Sequence, residues 1–234
     1  MSNERSAGLA VVTGATGGIG LAIVQHLLTA GWQVAGLDIG PAVARHDAYR
    51  HITVDLCDEA ATRRVLDTLK DARALVHAAG ILRVGPLARM APADGERMWK
   101  LHVDVAVRLA QILAPEMAAR GDGRVVLIGS RVAQGMPGRS QYAASKAALV
   151  ALARSWAAEL APQGVTVNVV SPAATQTAML DDPARAASAP RMPPIGRLIQ
   201  PEEIAALVQF LMSREAAAIT GQDIAICGGA SLPH

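Results

Sequence analysis

Short apolar segments alternate with helical patterns along this chain. In the helical patterns, hydrophobic residues recur every three or four positions, which is typical of helices that pack one face on a core. The apolar segments predict strands at residues 9–12, 32–37, 51–54, 74–77, 125–128, 166–170 and 224–226. The periodic segments predict helices at residues 19–31, 60–69, 94–119, 141–160 and 202–212. This alternation indicates an α/β fold, a doubly wound parallel sheet of about seven strands with helices on both faces.

The segment 173–200 departs from this alternation, since it contains several prolines and little periodicity. Such a stretch predicts a loop or a lid over a substrate site. No shift in composition marks a second domain. We therefore expect residues 1–234 to form a single domain that carries this lid.

The first predicted strand runs into a glycine-rich turn, Thr13-Gly14-Ala15-Thr16-Gly17-Gly18-Ile19-Gly20, that opens the first helix. Gly14 permits a tight turn, Gly18 lets backbone N–H groups approach a pyrophosphate, and Gly20 lets the helix pack on the strand. The helix N-terminus adds unpaired N–H donors and a partial positive charge. This segment predicts a dinucleotide-binding site. The alternative is that it is only a flexible turn. Its candidate contacts are Gly14, Thr16, Gly18, Ile19 and Gly20.

Asp38 closes the second predicted strand, 18 residues after Gly20. An acidic residue near this spacing accepts hydrogen bonds from the adenosine ribose hydroxyls. A 2′-phosphate would meet like charge there, and neither the glycine turn nor Ile39-Gly40-Pro41 supplies an arginine or lysine to receive it. We therefore expect NAD rather than NADP, with an ordinary loop aspartate as the alternative.

Two further segments are candidates for cofactor contacts. After the third predicted strand, Asp55 and Leu56 are placed to meet the adenine. After the fourth, Ala78-Ala79-Gly80 carries only small side chains. Small residues let the backbone approach a cofactor closely.

Tyr142 and Lys146 stand four residues apart in a predicted helix, which places them on one face. An ammonium group beside a phenol favours the phenolate and lowers the pKa of the tyrosine. Such a phenol takes a proton from an alcohol or gives one to a carbonyl. Ser130, at the end of the fifth predicted strand, is placed to hold the reacting oxygen. Each residue alone is more often a packing or capping residue, but together, downstream of a dinucleotide turn, they predict catalysis.

Composition narrows the range of partners. Hydrophobic residues make up 51% of the chain and aromatic residues only 3%, so the core must be aliphatic. A net charge of +2 from 22 basic and 20 acidic residues offers no strong field for nucleic acid. The two cysteines, Cys57 and Cys227, suggest neither a disulfide framework nor a metal site. The polar N-terminus and the lack of a long apolar run predict no signal peptide and no membrane span, and we expect a reducing, cytoplasmic location.

In order and in combination, these motifs resemble those of the short-chain dehydrogenase/reductase family. The resemblance spans residues 9–232 and implies a Rossmann fold. It rests on the Thr13-Gly14-x-x-x-Gly18-x-Gly20 turn, Ala78-Ala79-Gly80, Ser130, Tyr142-x-x-x-Lys146, Asn168 and Ser171-Pro172.

The resemblance implies hydride transfer between a nicotinamide cofactor and a secondary alcohol or ketone. It assigns Tyr142 as the general acid/base, Ser130 as the group that polarises the substrate oxygen, and Lys146 as a partner of both the tyrosine and the nicotinamide ribose. Further implied cofactor contacts are Pro172, Thr175 and Thr177. Family members commonly pair through the two long helices after the fourth and fifth strands, which implies a homodimer or homotetramer.

The chain departs from the family pattern at four places. His77 replaces an asparagine, which we expect to alter local hydrogen bonding more than chemistry, and no ligand partners accompany it as a metal site would require. His102 stands where a catalytic asparagine usually holds a water in the proton path to the lysine. Because histidine titrates near neutrality, His102 is either a proton relay or a packed helix residue. The interval from Ser130 to Tyr142 is one residue shorter than the commonest spacing, and Ala173 replaces a glycine.

Three hypotheses for function remain open. The leading one is NAD-dependent conversion of a secondary alcohol or ketone. A weaker similarity to 2,3-dihydro-2,3-dihydroxybenzoate dehydrogenase rests on Ala79-Gly80-Ile81-Leu82-Arg83, Asn168-Val169-Val170-Ser171-Pro172 and Gln222-Asp223-Ile224. It suggests a cyclic dihydrodiol acid, whose carboxylate would meet Arg83 or Arg139 unless these arginines are simply solvated. The substitutions at His77 and His102 suggest a catalytically idle dinucleotide sensor. The 3-oxoacyl-carrier-protein reductases share the scaffold, but Asp38 and the missing loop arginine argue against that NADPH-linked role.

Overall fold

Seven strands form one parallel sheet in the computed structural model, which describes residues 8–181 and 191–232. The strands are β1 (Leu9–Thr13), β2 (Gln33–Asp38), β3 (Tyr49–Thr53), β4 (Ala74–His77), β5 (Gly123–Ile128), β6 (Val165–Pro172) and β7 (Asp223–Ile226). Their order across the sheet is β3-β2-β1-β4-β5-β6-β7, and all neighbours are parallel. The strand order reverses between β1 and β4, which confirms the predicted doubly wound fold.

Helices cover both faces of this sheet. They are α1 (Gly18–Thr29), α2 (Glu59–Asp67), α3 (Pro92–Trp99), α4 (Val105–Ala119), α5 (Ser140–Leu160) and α6 (Pro201–Leu211). On one face, α1 and α6 bury Ile23, Leu27 and Val208, and on the other, α2, α4 and α5 bury a second aliphatic cluster that includes Leu66 and Leu113. The core is aliphatic, as the composition requires.

Alternate side chains of each strand enter these two clusters. Val11 packs in the cluster under α2, α4 and α5, whereas its neighbour Val12 packs under α1 and α6. Because both faces are covered, the strands need no polar face, and β5 and β6 are buried at every position. This is why uninterrupted apolar runs marked the strands in the sequence.

The helix predicted at 94–119 shows the largest departure from expectation. The structure has α3, then a π-helical segment at Lys100–Asp104, which we call the π-turn, and then α4. A π-turn adds a residue to the turn without ending the helix, so hydrophobic periodicity does not reveal it. It does, however, change which side chains face the sheet, and His102 lies within it.

Several element boundaries also differ from those predicted, among them the start of β5 at Gly123, two residues early. Strand β3 begins at Tyr49, two residues early, and β6 continues through Ser171 and Pro172, which were expected to follow the strand. Strand β6 is longer because β7 pairs with it as far as Pro172 and Ile226. A partner strand that is distant in sequence thus sets this boundary.

The predicted lid is only partly described, because residues 182–190 lie outside the described residues. Its first part contains a short 3₁₀ turn at Ala178–Asp181, and a bridge joins Thr175 to Ile199. The two ends of the segment are therefore held side by side. In the described parts of the chain, no helix is long and apolar enough to cross a membrane.

Candidate active site

A cavity of about 890 Å³ opens where the carboxyl ends of β1, β4, β5 and β6 meet. Ligands of doubly wound sheets bind at this edge, where the strand order reverses. Most of the site residues expected from the sequence line this cavity. They are Gly14, Thr16, Gly18, Ile19, Gly20, Asp38, Ala78, Ala79, Gly80, Ser130, Tyr142, Lys146, Pro172, Thr175 and Thr177.

Three expected site residues are not among the lining residues: Asp55, Leu56 and His102. Asp55 lines a separate shallow groove, and its carboxylate accepts a hydrogen bond from the Cys57 N–H at 2.8 Å. Leu56 is 4% exposed, and its carbonyl accepts a hydrogen bond from Arg108. These contacts organise the loop between β3 and α2. The adenine contact stays a prediction.

The glycine turn packs closely against neighbouring backbone, with no space there for a side chain. Gly14 has φ of +68°, and a Cβ there would lie 2.8 Å from the Ala79 nitrogen. A Cβ on Gly20 would collide with the carbonyl of Gly14. Helix α1 has no side-chain cap and no acidic residue in its first turn, so its N-terminal N–H groups suit a pyrophosphate.

Asp38 supplies a fixed negative charge at the end of β2. Its carboxylate accepts hydrogen bonds from the backbone N–H groups of Thr16 and Gly40, each at 3.0 Å. Burial alone would raise the pKa of Asp38, but the hydrogen bonds from Gly40, Thr16 and Ile39 together lower it below its ordinary value. The carboxylate is therefore ionised and oriented before any cofactor binds.

Helix α5 holds Tyr142 and Lys146 one turn apart on the face that lines the cavity. The Lys146 Nζ lies 5.9 Å from the centroid of the Tyr142 ring and donates a hydrogen bond to the Ile128 carbonyl at 2.8 Å. Burial lowers the pKa of Lys146 to about 7. The Lys146 amine therefore sits beside the phenol and changes its charge near neutral pH, and its charge when protonated is little screened by water.

Ser130 faces the same cavity from the end of β5. It begins a short 3₁₀ turn, Arg131–Gln134, and its Oγ accepts a hydrogen bond from the Val132 N–H at 3.2 Å. Because that contact uses an acceptor site of the hydroxyl, the hydroxyl proton is left for a ligand oxygen.

Comparisons with known proteins show the family of this chain. A family model described as enoyl-(acyl carrier protein) reductase matches residues 14–231. The 3-oxoacyl-[acyl-carrier-protein] reductases FabG of Salmonella typhimurium and Escherichia coli are 34% and 35% identical to this chain, over 94% of the chain and 96% of each relative. A solved short chain dehydrogenase/reductase family protein shares 33% identity with a TM-score of 0.87, over 96% of this chain and 97% of its own. This chain belongs to the short-chain dehydrogenase/reductase family.

The same comparisons extend to other members. The ligand-free aldohexose dehydrogenase of Thermoplasma acidophilum has a TM-score of 0.88 at 28% identity, over 97% of this chain and 94% of its own. Members of the family are oxidoreductases that transfer a hydride with a nicotinamide cofactor, act on small molecules and commonly form oligomers. The chain is therefore an enzyme of this class.

His77 is one of the departures from the family pattern, and both of its ring nitrogens form hydrogen bonds. Its Nε2–H donates to the Leu101 carbonyl at 3.1 Å, so its Nδ1 accepts from the Thr13 hydroxyl at 2.9 Å. The Thr13 Oγ1 in turn accepts the backbone N–H groups of Ala78 and Ala79. Burial, followed by the charge of Lys146, lowers the pKa of His77 to about 3. A neutral His77 thus joins β1, β4 and the π-turn.

His102, the second departure, lies behind the cavity wall and has no exposed surface. One ring nitrogen contacts the Ile81 N–H and the other the Ser145 hydroxyl. Burial, with the charge of Lys146 as the next cause, lowers the pKa of His102 well below its ordinary value. The proton relay stays a prediction, and these contacts favour the alternative of a packed histidine.

Several residues at the site escaped the sequence reasoning. Ser145 lies between Tyr142 and Lys146 in the motif already singled out, and Thr13 stands at the head of the glycine turn, so both had a positional signal. Leu82 was named only within a motif of the weaker similarity, and Met136 and Met192, which share the apolar wall of the cavity with it, had no signal. Within the described residues, no group of three or more histidines, cysteines or acidic residues is placed to hold a metal ion.

Proposed function

We propose that this chain is an NAD-dependent oxidoreductase that acts on a secondary alcohol or ketone and works as a homodimer or homotetramer. The observation that carries the proposal is that one cavity is lined by both groups of residues. Asp38 and the glycine turn form its dinucleotide-binding part, and Ser130, Tyr142 and Lys146 face the same space. A dinucleotide held by the first set brings its reactive ring towards the second.

The side chains divide the chemistry among them. When bound, the nicotinamide accepts or supplies the hydride. Tyr142, as phenolate, takes the proton of an alcohol, and as phenol it gives a proton to a ketone oxygen. Lys146 stabilises the phenolate by its charge, and the Ser130 hydroxyl donates to the substrate oxygen as negative charge develops there.

The preference for NAD rests on Asp38. Its ionised carboxylate has further acceptor positions for ribose hydroxyls, and its charge repels a 2′-phosphate. This part of the proposal is separate from the catalytic assignment and is tested separately below.

Two narrower functions have specific support. Identity of 34–35% to the 3-oxoacyl-[acyl-carrier-protein] reductases, together with the apolar wall of the cavity, favours reduction of a 3-oxoacyl thioester. Of the two arginines considered for a carboxylate, Arg139 lines the cavity and is 9% exposed, whereas Arg83 is not among the lining residues. A cyclic dihydrodiol acid therefore remains a candidate through Arg139.

The deciding experiment is a substrate screen with a tyrosine variant. Secondary alcohols, ketones, a 3-oxoacyl thioester and a cyclic dihydrodiol acid are offered with the oxidised or reduced form of NAD and of NADP, and the absorbance of the reduced cofactor is followed. For the substrate that reacts, Tyr142→Phe is expected to lower kcat by about 10²- to 10⁴-fold, because it removes the general acid/base. Cofactor affinity should stay close to that of the wild type.

Tyr49→Phe is the matched control, since Tyr49 is the only other tyrosine of the chain and lies on β3. Undiminished turnover by Tyr142→Phe would overturn the catalytic assignment. Dinucleotide binding without turnover of any substrate class would favour the sensor hypothesis instead.

A further inference from the structure

The two ring nitrogens of His102 connect two different elements. The Nε2 lies 3.1 Å from the backbone nitrogen of Ile81, in the loop after β4, and the Nδ1 lies 2.9 Å from the Ser145 Oγ on α5. The π-turn places the ring in this position, and the side chain is fully buried. The ring also meets the Tyr142 ring edge to face, with centroids 5.6 Å apart.

The direction of each hydrogen bond follows from the partners. An amide N–H only donates, so the Nε2 of His102 must accept from Ile81, and the proton of the neutral ring resides on Nδ1. The Nδ1–H then donates to the Ser145 Oγ. The Ser145 hydroxyl donates in turn to the Tyr142 carbonyl at 2.9 Å. The chain of bonds therefore ends on the backbone of the residue assigned as the acid/base.

Protonation of His102 conflicts with this arrangement. It would turn Nε2 into a donor that faces another donor, the Ile81 N–H. Burial and the charge of Lys146 also disfavour a positive charge on this ring, whose other titratable neighbours are the neutral His77 ring and the Tyr142 phenol. A water relay through this ring would require one nitrogen to be free, and both are engaged by protein groups.

We infer that His102 is a positioning residue, a neutral bridge that fixes the cofactor-lining segment Ala78–Ile81 against the turn of α5 that carries Tyr142. The inference rests on the proposed function of Tyr142. The bond to Ile81 holds the wall of the cofactor site, so it acts on dinucleotide affinity. The bond to Ser145 holds the acid/base, so it acts on kcat.

Two substitutions separate the two bonds. In His102→Asn, the side-chain amide takes the place of Nδ1–H and donates to Ser145, but it is too short to reach Ile81. In His102→Gln, the longer side chain offers its oxygen to the Ile81 N–H and leaves Ser145 without its donor. We expect His102→Asn to weaken NAD binding about three- to tenfold with little change in kcat, and His102→Gln to do the reverse.

Ser145→Ala provides the matched test of the second bond. It should lower kcat as much as His102→Gln does, and the double variant should be no slower than either single variant, because both remove the same connection. His26→Gln is the control, since His26 is a partly buried histidine that bonds to Gln209 between α1 and α6. A purely structural role of His102 would lower thermal stability and change kcat and affinity together, without this division, and would overturn the inference.

Nitrogen-15 NMR of the histidine rings tests the inference without turnover. The resonance lost in His102→Gln should show a protonated Nδ1 and an unprotonated Nε2, and it should not shift between about pH 5 and pH 8. Titration of this ring in that range, or a displaced pH profile of kcat in the variants, would establish a proton relay and overturn the inference. If the wild type converts no substrate, the proposed function fails, whereas the NMR and NAD-binding results still decide the role of His102.

Discussion

In the proposed function, the carboxylate of Asp38 sets the preference for NAD over NADP. The sequence placed it at the end of β2 by spacing alone. The structure adds that Thr16 and Gly40 hold its two oxygens from the backbone, so the side chain cannot rotate away from an unsuitable ligand. Its charge is a fixed feature of the site.

Asp38→Asn is the residue-scale prediction on cofactor choice. The amide keeps the size of the side chain but removes its charge and one acceptor. We expect NAD affinity to fall about tenfold and the ratio of kcat/KM for NADP to that for NAD to rise by a similar factor. The measurement is steady-state kinetics with both cofactors, and Asp67→Asn, a half-exposed aspartate at the end of α2, is the control. An unchanged ratio would show that Asp38 does not contact the ribose.

At the scale of elements, β1, the glycine turn and α1 form one unit whose parts approach closely. Gly20 in the first turn of α1 packs against the Gly14 carbonyl, and Gly14 packs against Ala79 in the loop after β4. These approaches are the reason for glycine at both positions. The sequence indicated the motif, and the structure identifies the groups that a side chain would strike.

Gly20→Ala is expected to destabilise the fold by about 1–3 kcal/mol, because the new methyl group must displace the Gly14 carbonyl. It should also weaken NAD binding, since the N-terminus of α1 moves with it. Gly17→Ala is a matched control for stability, because a Cβ at Gly17 meets nothing within 4 Å. Thermal unfolding of both variants checks the prediction, and equal melting temperatures would contradict it.

At the scale of the whole molecule, the sheet gathers groups that are distant in sequence into one buried polar region beside the cavity. It contains His77, His102 and Lys146, which are all almost completely buried, and each has a lowered pKa. All three groups are thus easier to protonate in the unfolded chain than in the fold. All three groups therefore make the fold less stable as the pH falls.

The sign of the pH dependence follows from proton binding. As the pH falls below about 6.5, the unfolded chain binds protons on His77 and His102 that the native state excludes, so stability is lost, and for His77 this continues down to about pH 3. Lys146 acts likewise between about pH 10.5 and pH 7. Below pH 6, each histidine that is protonated only in the unfolded chain lowers the free energy of unfolding by up to about 1.36 kcal/mol per pH unit. For the two histidines together, we expect a decrease of up to about 2.7 kcal/mol per pH unit.

Urea unfolding at a series of pH values measures this dependence. His77→Asn should reduce the slope by about half between pH 6 and pH 4.5, because one of the two buried rings is gone. His46→Asn, at an exposed loop position, controls for the change of residue type. A flat profile in the wild type would mean that the rings are protonated in the native state.

The sequence by itself determined the fold class, a doubly wound parallel sheet of about seven strands, and most of the site residues that the structure places in the cavity. Those features depend on local signals: apolar runs, helical periodicity, glycine spacing, and a tyrosine and a lysine one helical turn apart. The tertiary structure decided what depends on long-range contact. It showed the π-turn, the end of β6 at its pairing with β7, and Asp55 outside the cavity. It also gave each buried histidine its partners, because a ring's tautomer and charge are set by the groups that the fold brings to its two nitrogens.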